Sequence, residues 1–436
     1  MKKMYYQFWE EVIPQTYLHY NAFSNHFLLL NKEKHDLFET LLADNIKKEN
    51  PSLFQILVDN EFIIADDFDE YEVAAFRRKQ MQFDSTMYQV MVNTTLDCNL
   101  NCWYCYENRV EGSFLKADVI EAIKKNIEFE YTSAPFITLK VSFFGGEPFL
   151  YFEGIKELLS FAKEFCHQRK IELIADFTTN ATLITEEQIE FLREFRCHFQ
   201  IPIDGNRPIH NQIKKGKDPS VDMYQKTIDA LRLIDSSIPQ RWVALRVNFD
   251  NRILREIDDI IADFDFLDRR KGYVILKKVW QIPKDKVDVE SLYTAIQKFL
   301  NKKFLVDYYI MPKRCVCYAE KYRLALFNYD GKVFKCSTLS SFDEAHTLGT
   351  LDFTTGQLHW DPCKISYWMK EMVPDKCKKC KWFPACLGPC NRQLMAHKDE
   401  EICTFDAINM DRKEFLMYIF KYRLLENELW NRTDVN

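Results

Sequence analysis

The chain has 436 residues, 47% of them hydrophobic and 28% charged, with a formal net charge of −6. That length exceeds one ordinary core and predicts two or three domains, the composition is globular, and the acidic balance sets nucleic acid aside as a partner. No signal-peptide pattern opens "MKKMYYQFWEEV" and no apolar run reaches membrane-spanning length, so the expectation is a cytoplasmic protein with no membrane partner, whose 14 cysteines are poor candidates for disulfides.

From about Thr16 to Glu70, two short apolar runs, "TYLHYNAF" and "HFLLLN", precede two amphipathic helical stretches, "KEKHDLFETLLAD" and "PSLFQILVDNEF", and a strand, "IIADD". This predicts a small winged-helix-like β/α module over residues 1–85, with "YEVAAFRRKQMQF" as a charged connection leading out of it. Over residues 86–305 apolar strands alternate with amphipathic helices, the pattern of a parallel sheet built from β/α units. The strands are "YQVMVNTT", "ITLKVSFF", "IELIADFTT", "HFQIPID", "VALRVNF" and "GYVILKKVWQI"; the helix "TEEQIEFLREF" opens with Thr185 three residues before Gln188, a capping box. Six such units predict an α/β fold, a partial (β/α)6 TIM-like barrel, with chemistry on loops at the carboxyl ends of its strands. From about Met311, within a third region of residues 306–436, the alternation fades and cysteines take over. A hairpin, "RLALFNYDGKVFKCS", turns at Asp330-Gly331, and a polar helical tail, "DRKEFLMYIFKYRLLENELW", closes the chain.

The first barrel strand runs into "TTLDCNLNCWYCYE", which sets Cys98, Cys102 and Cys105 on one loop. Thiolates at short spacing wrap an iron–sulfur cubane, and three of them leave one iron open. A zinc site would need a fourth ligand, and three-ligand zinc sites usually use histidine, which this loop lacks. The open cluster is the stronger reading.

Cys98-x3-Cys102-x2-Cys105, with Tyr104 before the last cysteine, resembles the signature of the radical S-adenosylmethionine (SAM) enzymes, in which the open iron binds the amino and carboxylate groups of SAM. The next strand ends in "FFGGEP", where Gly145, Gly146 and Glu147 match the family motif that meets the SAM amino group; glycines permit close backbone approach and a carboxylate accepts from an ammonium. Asn180 in "TTNATLI" and Asp204 in "IPIDGNRPIH" stand where relatives contact the SAM ribose and carboxylate. The chain departs from many relatives at Pro202, where serine is usual, and at Lys214, where arginine is common. Arg246 in "ALRVNFD" is either on the SAM side or an ordinary strand-end cation.

Nine further cysteines fall in the C-terminal region, eight of them in a crowded pattern and Cys363 unmatched among those. Paired C-x2-C spacing by itself says metal, with a zinc ribbon as the usual case. Cys317-x13-Gly331-x4-Cys336, then Cys377-x2-Cys380-x5-Cys386-x3-Cys390 and Cys403, resembles the SPASM domain of radical SAM peptide and protein modifiers, which carries two auxiliary four-iron clusters. The resemblance implies one cluster on Cys377, Cys380, Cys386 and Cys403, and another on Cys336, Cys390 and one or both of Cys315 and Cys317, making three [4Fe–4S] clusters in all. Cys166, Cys197 and Cys363 read as packed or surface thiols.

The N-terminal module is similar to the peptide-recognition modules of maturases for ribosomally made peptides, which add a leader peptide as an extra strand; a structural cap on the barrel is the other reading. Taken together, the resemblances imply reductive cleavage of SAM to a 5′-deoxyadenosyl radical and oxidation of a ribosomally made precursor peptide, with a thioether or carbon–carbon cross-link as the first expectation. They also imply an electron donor such as flavodoxin or ferredoxin. A peptide epimerase and a sulfatase-type protein-modifying oxidase are the enzymatic alternatives, the latter lowered by Ser337, where such oxidases carry aspartate after the Gly-x4-Cys cysteine. The non-enzymatic alternative is a zinc-ribbon scaffold that binds a peptide.

Overall fold

A computed structural model describes residues 1–283, 286–308, 316–370, 373–397 and 402–430, with the side chains of residues 406 and 407 outside that description. Cys315 is therefore outside the described residues. The chain forms two compact units, one of residues 1–82, 308–316 and 371–436, the other of residues 83–307 and 317–370.

In the first unit, β1 (Lys2–Lys3) pairs antiparallel with β5 (Ile63–Ile64), and β2 (Gln7–Ile13), β3 (Thr16–Asn21) and β4 (His26–Asn31) form an antiparallel sheet in that order. Helices Lys32–Thr40, Ala43–Glu49 and Pro51–Asp59 follow, the first and third capped by the side chains of Asn31 and Asn50. Leu28, Leu30, Phe38, Ile46, Leu53 and Leu57 share one core there. The expected charged connection is instead the helix Glu70–Gln82. Its buried stripe is Ala74, Ala75, Arg78 and Gln82, small and long polar residues at helical spacing, so hydropathy alone hides it. Strand β2 is a further addition to the sequence reading: its "QFWEEVI" keeps two acidic residues on a sheet edge, with a bulge between Glu11 and Ile13.

The second unit is built on β6 (Met87–Thr95), β7 (Thr138–Gly145), β8 (Glu172–Thr178), β9 (Arg196–Ile203), β10 (Arg241–Phe249) and β11 (Gly272–Lys278), each parallel to the next in chain order. Consecutive order, with helices such as Ala117–Ser133, Phe152–Arg169 and Met223–Ser237 between strands, is the winding of a partial barrel. β6 is buried at every position after its first, as a strand covered on both faces must be. The capping box forms at Thr185 and Gln188 on helix Glu186–Leu192.

The sheet runs on at both ends to make eleven strands among the described residues. β12 (Val306–Tyr308) lies beside β11, and β13 (Leu324–Phe327) pairs parallel with β6. β13 then turns through Asp330-Gly331, with Gly331 at φ +86°, into β14 (Lys332–Phe334), which is followed by antiparallel β15 (Gly349–Leu351) and β16 (Leu358–Trp360). The hairpin expected from sequence thus extends the barrel sheet.

Candidate active site

The segments that follow the carboxyl ends of β6 to β9 converge on the three-cysteine loop. Gly146 N–H donates to Thr95 O at 3.0 Å and Glu147 N–H to Asp97 O at 2.9 Å. A Cβ on Gly146 would stand 2.1 Å from the Asp97 carbonyl oxygen, and one on Gly145, at φ +109°, 2.1 Å from that of Thr95. The glycine pair is therefore required for packing its own backbone against the entry to the cysteine loop, a structural reason distinct from the ligand approach that the motif suggested. After β8, Asn180 Nδ2 donates to Asn99 Oδ1 at 2.9 Å, and Asn99 Nδ2 to Thr182 Oγ1 at 2.8 Å. Asn101 N–H donates to Lys215 O at 2.7 Å, and Asn108 N–H to Ser340 O at 2.8 Å. The loop is thus held from four directions.

Glu147 is fully buried. Its carboxylate accepts from Phe149 N–H at 3.0 Å, Thr179 Oγ1 at 2.7 Å and Asn180 N–H at 2.8 Å. Burial raises its pKa to about 6, against the pull of those three donors.

The structure brings Tyr104, Asp204, Lys214 and Arg246 into one network. Tyr104 donates its hydroxyl to Asp204 Oδ2 at 2.5 Å, and Lys214 Nζ lies 3.3 Å from the same oxygen. Asn248 Nδ2 bridges Asp204 Oδ1 at 3.1 Å and Tyr104 Oη at 3.2 Å, and Arg246 Nε donates to Asn248 Oδ1 at 2.9 Å. Lys214 and Asp204 are both buried; the carboxylate keeps the ammonium charged against burial. Sequence reasoning missed Asn248, although it stands two residues after Arg246 and so on the same face of β10. It also missed His210, which accepts from Asp204 N–H at 3.3 Å through Nδ1 and is driven by burial down to about 4. Glu107 was missed as well: it is raised to about 8 by burial, and its Oε1 has no hydrogen-bond partner among the described residues.

Cys98 and Cys102 are half-buried and Cys105 is exposed; desolvation raises all three thiols, Cys98 up to about 12. In the same unit, Cys336 is buried and accepts from Thr338 N–H at 3.3 Å, Cys317 is half-buried, and the Ser337 hydroxyl shares a 2.7 Å hydrogen bond with Tyr318. Both thiols act electrostatically on Tyr318. In the first unit, burial pushes Cys377 up to about 12, with Cys386, Cys403 and Cys380 adding to the rise, and Cys380 is raised by burial and then by Cys386 and Cys403. Those four thiols are electrostatic neighbours. Cys390 is half-buried at the N-cap of helix Asn391–Ala396. Cys166 and Cys197 are buried, and Cys363 is exposed. Among the described residues no three of His, Cys, Asp and Glu are placed to hold a single metal ion, and no helix is long and apolar enough to cross a membrane.

A parallel β/α partial barrel with a three-thiol loop after one strand and a Gly-Gly-Glu turn after the next defines the class as one that binds a cofactor at the carboxyl ends of its strands. Residues 92–263 match the model of the Radical SAM superfamily, and a domain of that kind implies SAM and iron–sulfur chemistry in general terms. It is 25% identical over 359 residues to a cysteine-type anaerobic sulfatase-maturating enzyme of Clostridium perfringens strain 13, covering 74% of this chain and 93% of that one. It is 25% identical over 337 residues to the enzyme of the same name from Clostridium novyi, covering 68% and 85%. The structure of anSMEcpe with bound AdoMet superimposes with a TM-score of 0.59 at 20% identity, over 79% of this chain and 99% of that one, a likeness of fold.

Proposed function

We propose that this chain is an oxidoreductase that modifies a side chain of a peptide or protein by radical SAM chemistry of the sulfatase-maturating type. The observation that carries this reading is the reach of the likeness: the alignment to the Clostridium perfringens enzyme spans 359 residues, well beyond the superfamily match at residues 92–263. The comparisons thereby reverse the order expected from sequence, which set cross-linking first.

In this reading Cys98, Cys102 and Cys105 hold the first cluster, and SAM sits among Tyr104, Gly145, Gly146, Glu147, Asn180, Asp204, Lys214 and Arg246. When bound, cluster and SAM supply a carbon-centred radical that removes a hydrogen from the substrate. The residues present fit that cofactor. A carboxylate has about four acceptor sites, and Glu147 uses three, leaving one for an ammonium. Because the three donors come from two separate segments, they also fix the carboxylate's orientation before any ligand arrives. Asp204 holds Lys214 and Tyr104 in place, so that cationic and hydroxyl groups stand beside the cysteine loop. The second set, Cys377, Cys380, Cys386 and Cys403, and a third, Cys336 and Cys390 with Cys317 or Cys315 or both, would hold auxiliary clusters in a SPASM-type region. An electron donor such as flavodoxin or ferredoxin and a peptide substrate complete the proposal.

A second reading, cross-linking of a ribosomally made precursor held by the winged-helix-like module, draws on Ser337: a hydroxyl paired with Tyr318 stands where the sulfatase-type oxidases carry a carboxylate. One experiment separates the two. Iron-loaded enzyme is incubated anaerobically with SAM, a reductant and cysteine-containing peptides, and the products are sequenced by tandem mass spectrometry. Oxidation confined to one residue supports the first reading, a new bond between two residues the second, and SAM cleavage without any peptide change in a broad panel contradicts both.

A further inference from the structure

The sheet β2–β3–β4 is covered on both faces around Phe8, Tyr20 and Phe27, although Leu29 stays exposed, and part of the second cover is the segment that carries the second thiol set. One face carries Trp9, Tyr17 and His19, with His35 of helix Lys32–Thr40 stacked on Tyr17 at 3.8 Å between ring centroids and bonded to His19 at 3.0 Å. The other face presents Phe8, Tyr20 and Phe27, which stand opposite one another in register. Phe8 and Tyr20 lie 4.3 and 5.5 Å from the ring of Trp382, and Phe27 lies 5.3 Å from Phe420.

Trp382 stands in sequence between Cys380 and Cys386, and is enclosed on its far side by Phe405 at 4.8 Å and Phe415 at 5.3 Å. The hydroxyls of Tyr6 and Tyr5 donate to the carbonyls of Lys378 and Lys379, the two residues between Cys377 and Cys380, at 2.9 and 2.8 Å. Lys381 returns the bond to the Tyr5 carbonyl. Cys377 and Phe383 are buried in one apolar cluster with Met4, Tyr6, Phe23 and Ile64.

The cysteine segment has little to stand on by itself. Its helices Asp375–Lys378 and Phe383–Cys386 are single turns, too short to persist without tertiary support. The aromatic face of the sheet supplies that support, and in return the segment keeps Phe8 and Tyr20 from water, while Phe420 of the C-terminal helix covers Phe27.

On the reading that Cys377, Cys380, Cys386 and Cys403 hold iron, we propose that Trp382 is a positioning residue that joins the N-terminal sheet and this thiol set into one cooperative unit. Iron ties four separated points of the segment together and so holds Trp382 on Phe8 and Tyr20. Without it the segment loosens and the sheet loses that part of its second cover. By linkage the coupling runs both ways, so loosening the sheet also loosens the thiol set.

The test uses the full chain, purified and iron-loaded without oxygen. Hydrogen exchange is followed by mass spectrometry over residues 7–31 and, as a folding control, over β7 to β9. Cys380→Ser should lose the iron of one cluster and raise exchange over residues 7–31 by about tenfold or more, with β7 to β9 unchanged, since local opening is read out where protection is lost. Iron lost with exchange over residues 7–31 unchanged overturns the coupling alone; a full iron count in Cys380→Ser overturns the iron reading and the coupling with it. Should Cys380→Ser also loosen β7 to β9, the sheet side decides: Phe8→Ala should shift or abolish the electron paramagnetic resonance signal of the second set, with Phe8→Leu restoring it in part. An unchanged signal in Phe8→Ala overturns the proposal.

Discussion

The two thiol loops sit in opposite surroundings. Cys98, Cys102 and Cys105 lie among Asn99, Asn180, Asp204, Lys214 and Asn248, side chains that hydrogen-bond one another and leave polar groups facing the loop. Cys377 and Cys380 lie against Met4, Tyr6, Phe23, Tyr71 and Phe383, and between Cys380 and Cys386 stands Trp382. A site that must receive a zwitterionic ligand needs donors and acceptors already in place; one that only stores charge needs burial, which sets a cluster's potential without binding anything. On the proposed function, this difference would let one chain give the same side chain, cysteine, two tasks.

The largest effect should come from removing the polar site's thiols: Cys98, Cys102 and Cys105 changed together to alanine should reduce 5′-deoxyadenosine formation to background while the remaining iron, about two clusters' worth, stays bound by colorimetric assay. Next, Asp204→Ala leaves Lys214 buried without its partner and should cost roughly 3–5 kcal/mol in denaturant unfolding, because an unpaired buried charge is left behind. Lys335 provides a buried comparison beside Cys336: its ammonium donates to the carbonyls of Lys321, Tyr322 and Leu324 at 2.6, 2.9 and 2.7 Å. Lys335→Met strands all three and should cost about 3 kcal/mol, seen as a lower melting temperature, with SAM cleavage retained.

The apolar unit should also respond to pH. Burial, and then His35, hold His19 neutral, its pKa lowered from 6.5 to about 3. The unfolded chain therefore takes up the proton first as pH falls, so stability is present above about pH 6.5 and is lost from there down toward pH 3, by at most about 1.4 kcal/mol per pH unit. Urea unfolding of the iron-loaded protein at pH 7 and 5 measures this, and His19→Gln should reduce the slope while leaving the part contributed by His210, which burial also holds neutral. The smallest effect belongs to Tyr106→Phe, which gives up one long bond, 3.4 Å to Ser337 O, and should cost under about 1 kcal/mol in the same assay.

The barrel was legible because its strands are largely buried and rich in β-branched and aromatic residues, as in "YQVMVNTT" and "ITLKVSFF", and because strand ends and Asp330-Gly331 carry local turn chemistry. Helix Glu70–Gln82 was not, since its buried stripe is alanine, arginine and glutamine, residues whose burial depends on what packs over them. In the site, cysteine spacing marked the loop, and Tyr104, Asp204, Lys214 and Arg246 were named by their positions after strands. That they form one network through Asn248 is set by the parallel register of β9 and β10, which places Pro202 beside Arg246.

The sequence by itself determined the chemistry on offer: three thiols on a loop after one strand, a Gly-Gly-Glu turn after the next, and a second concentration of cysteines, because these are properties of short segments. Only the tertiary structure decided what surrounds each set. Phe8, Tyr20 and Phe27 are merely alternate positions on three strands until the chain, more than 350 residues later, brings Trp382 and Phe420 onto that face. Apolar burial is non-directional, so the pattern of a strand says that a face will be covered; which segment covers it follows from the whole chain's packing.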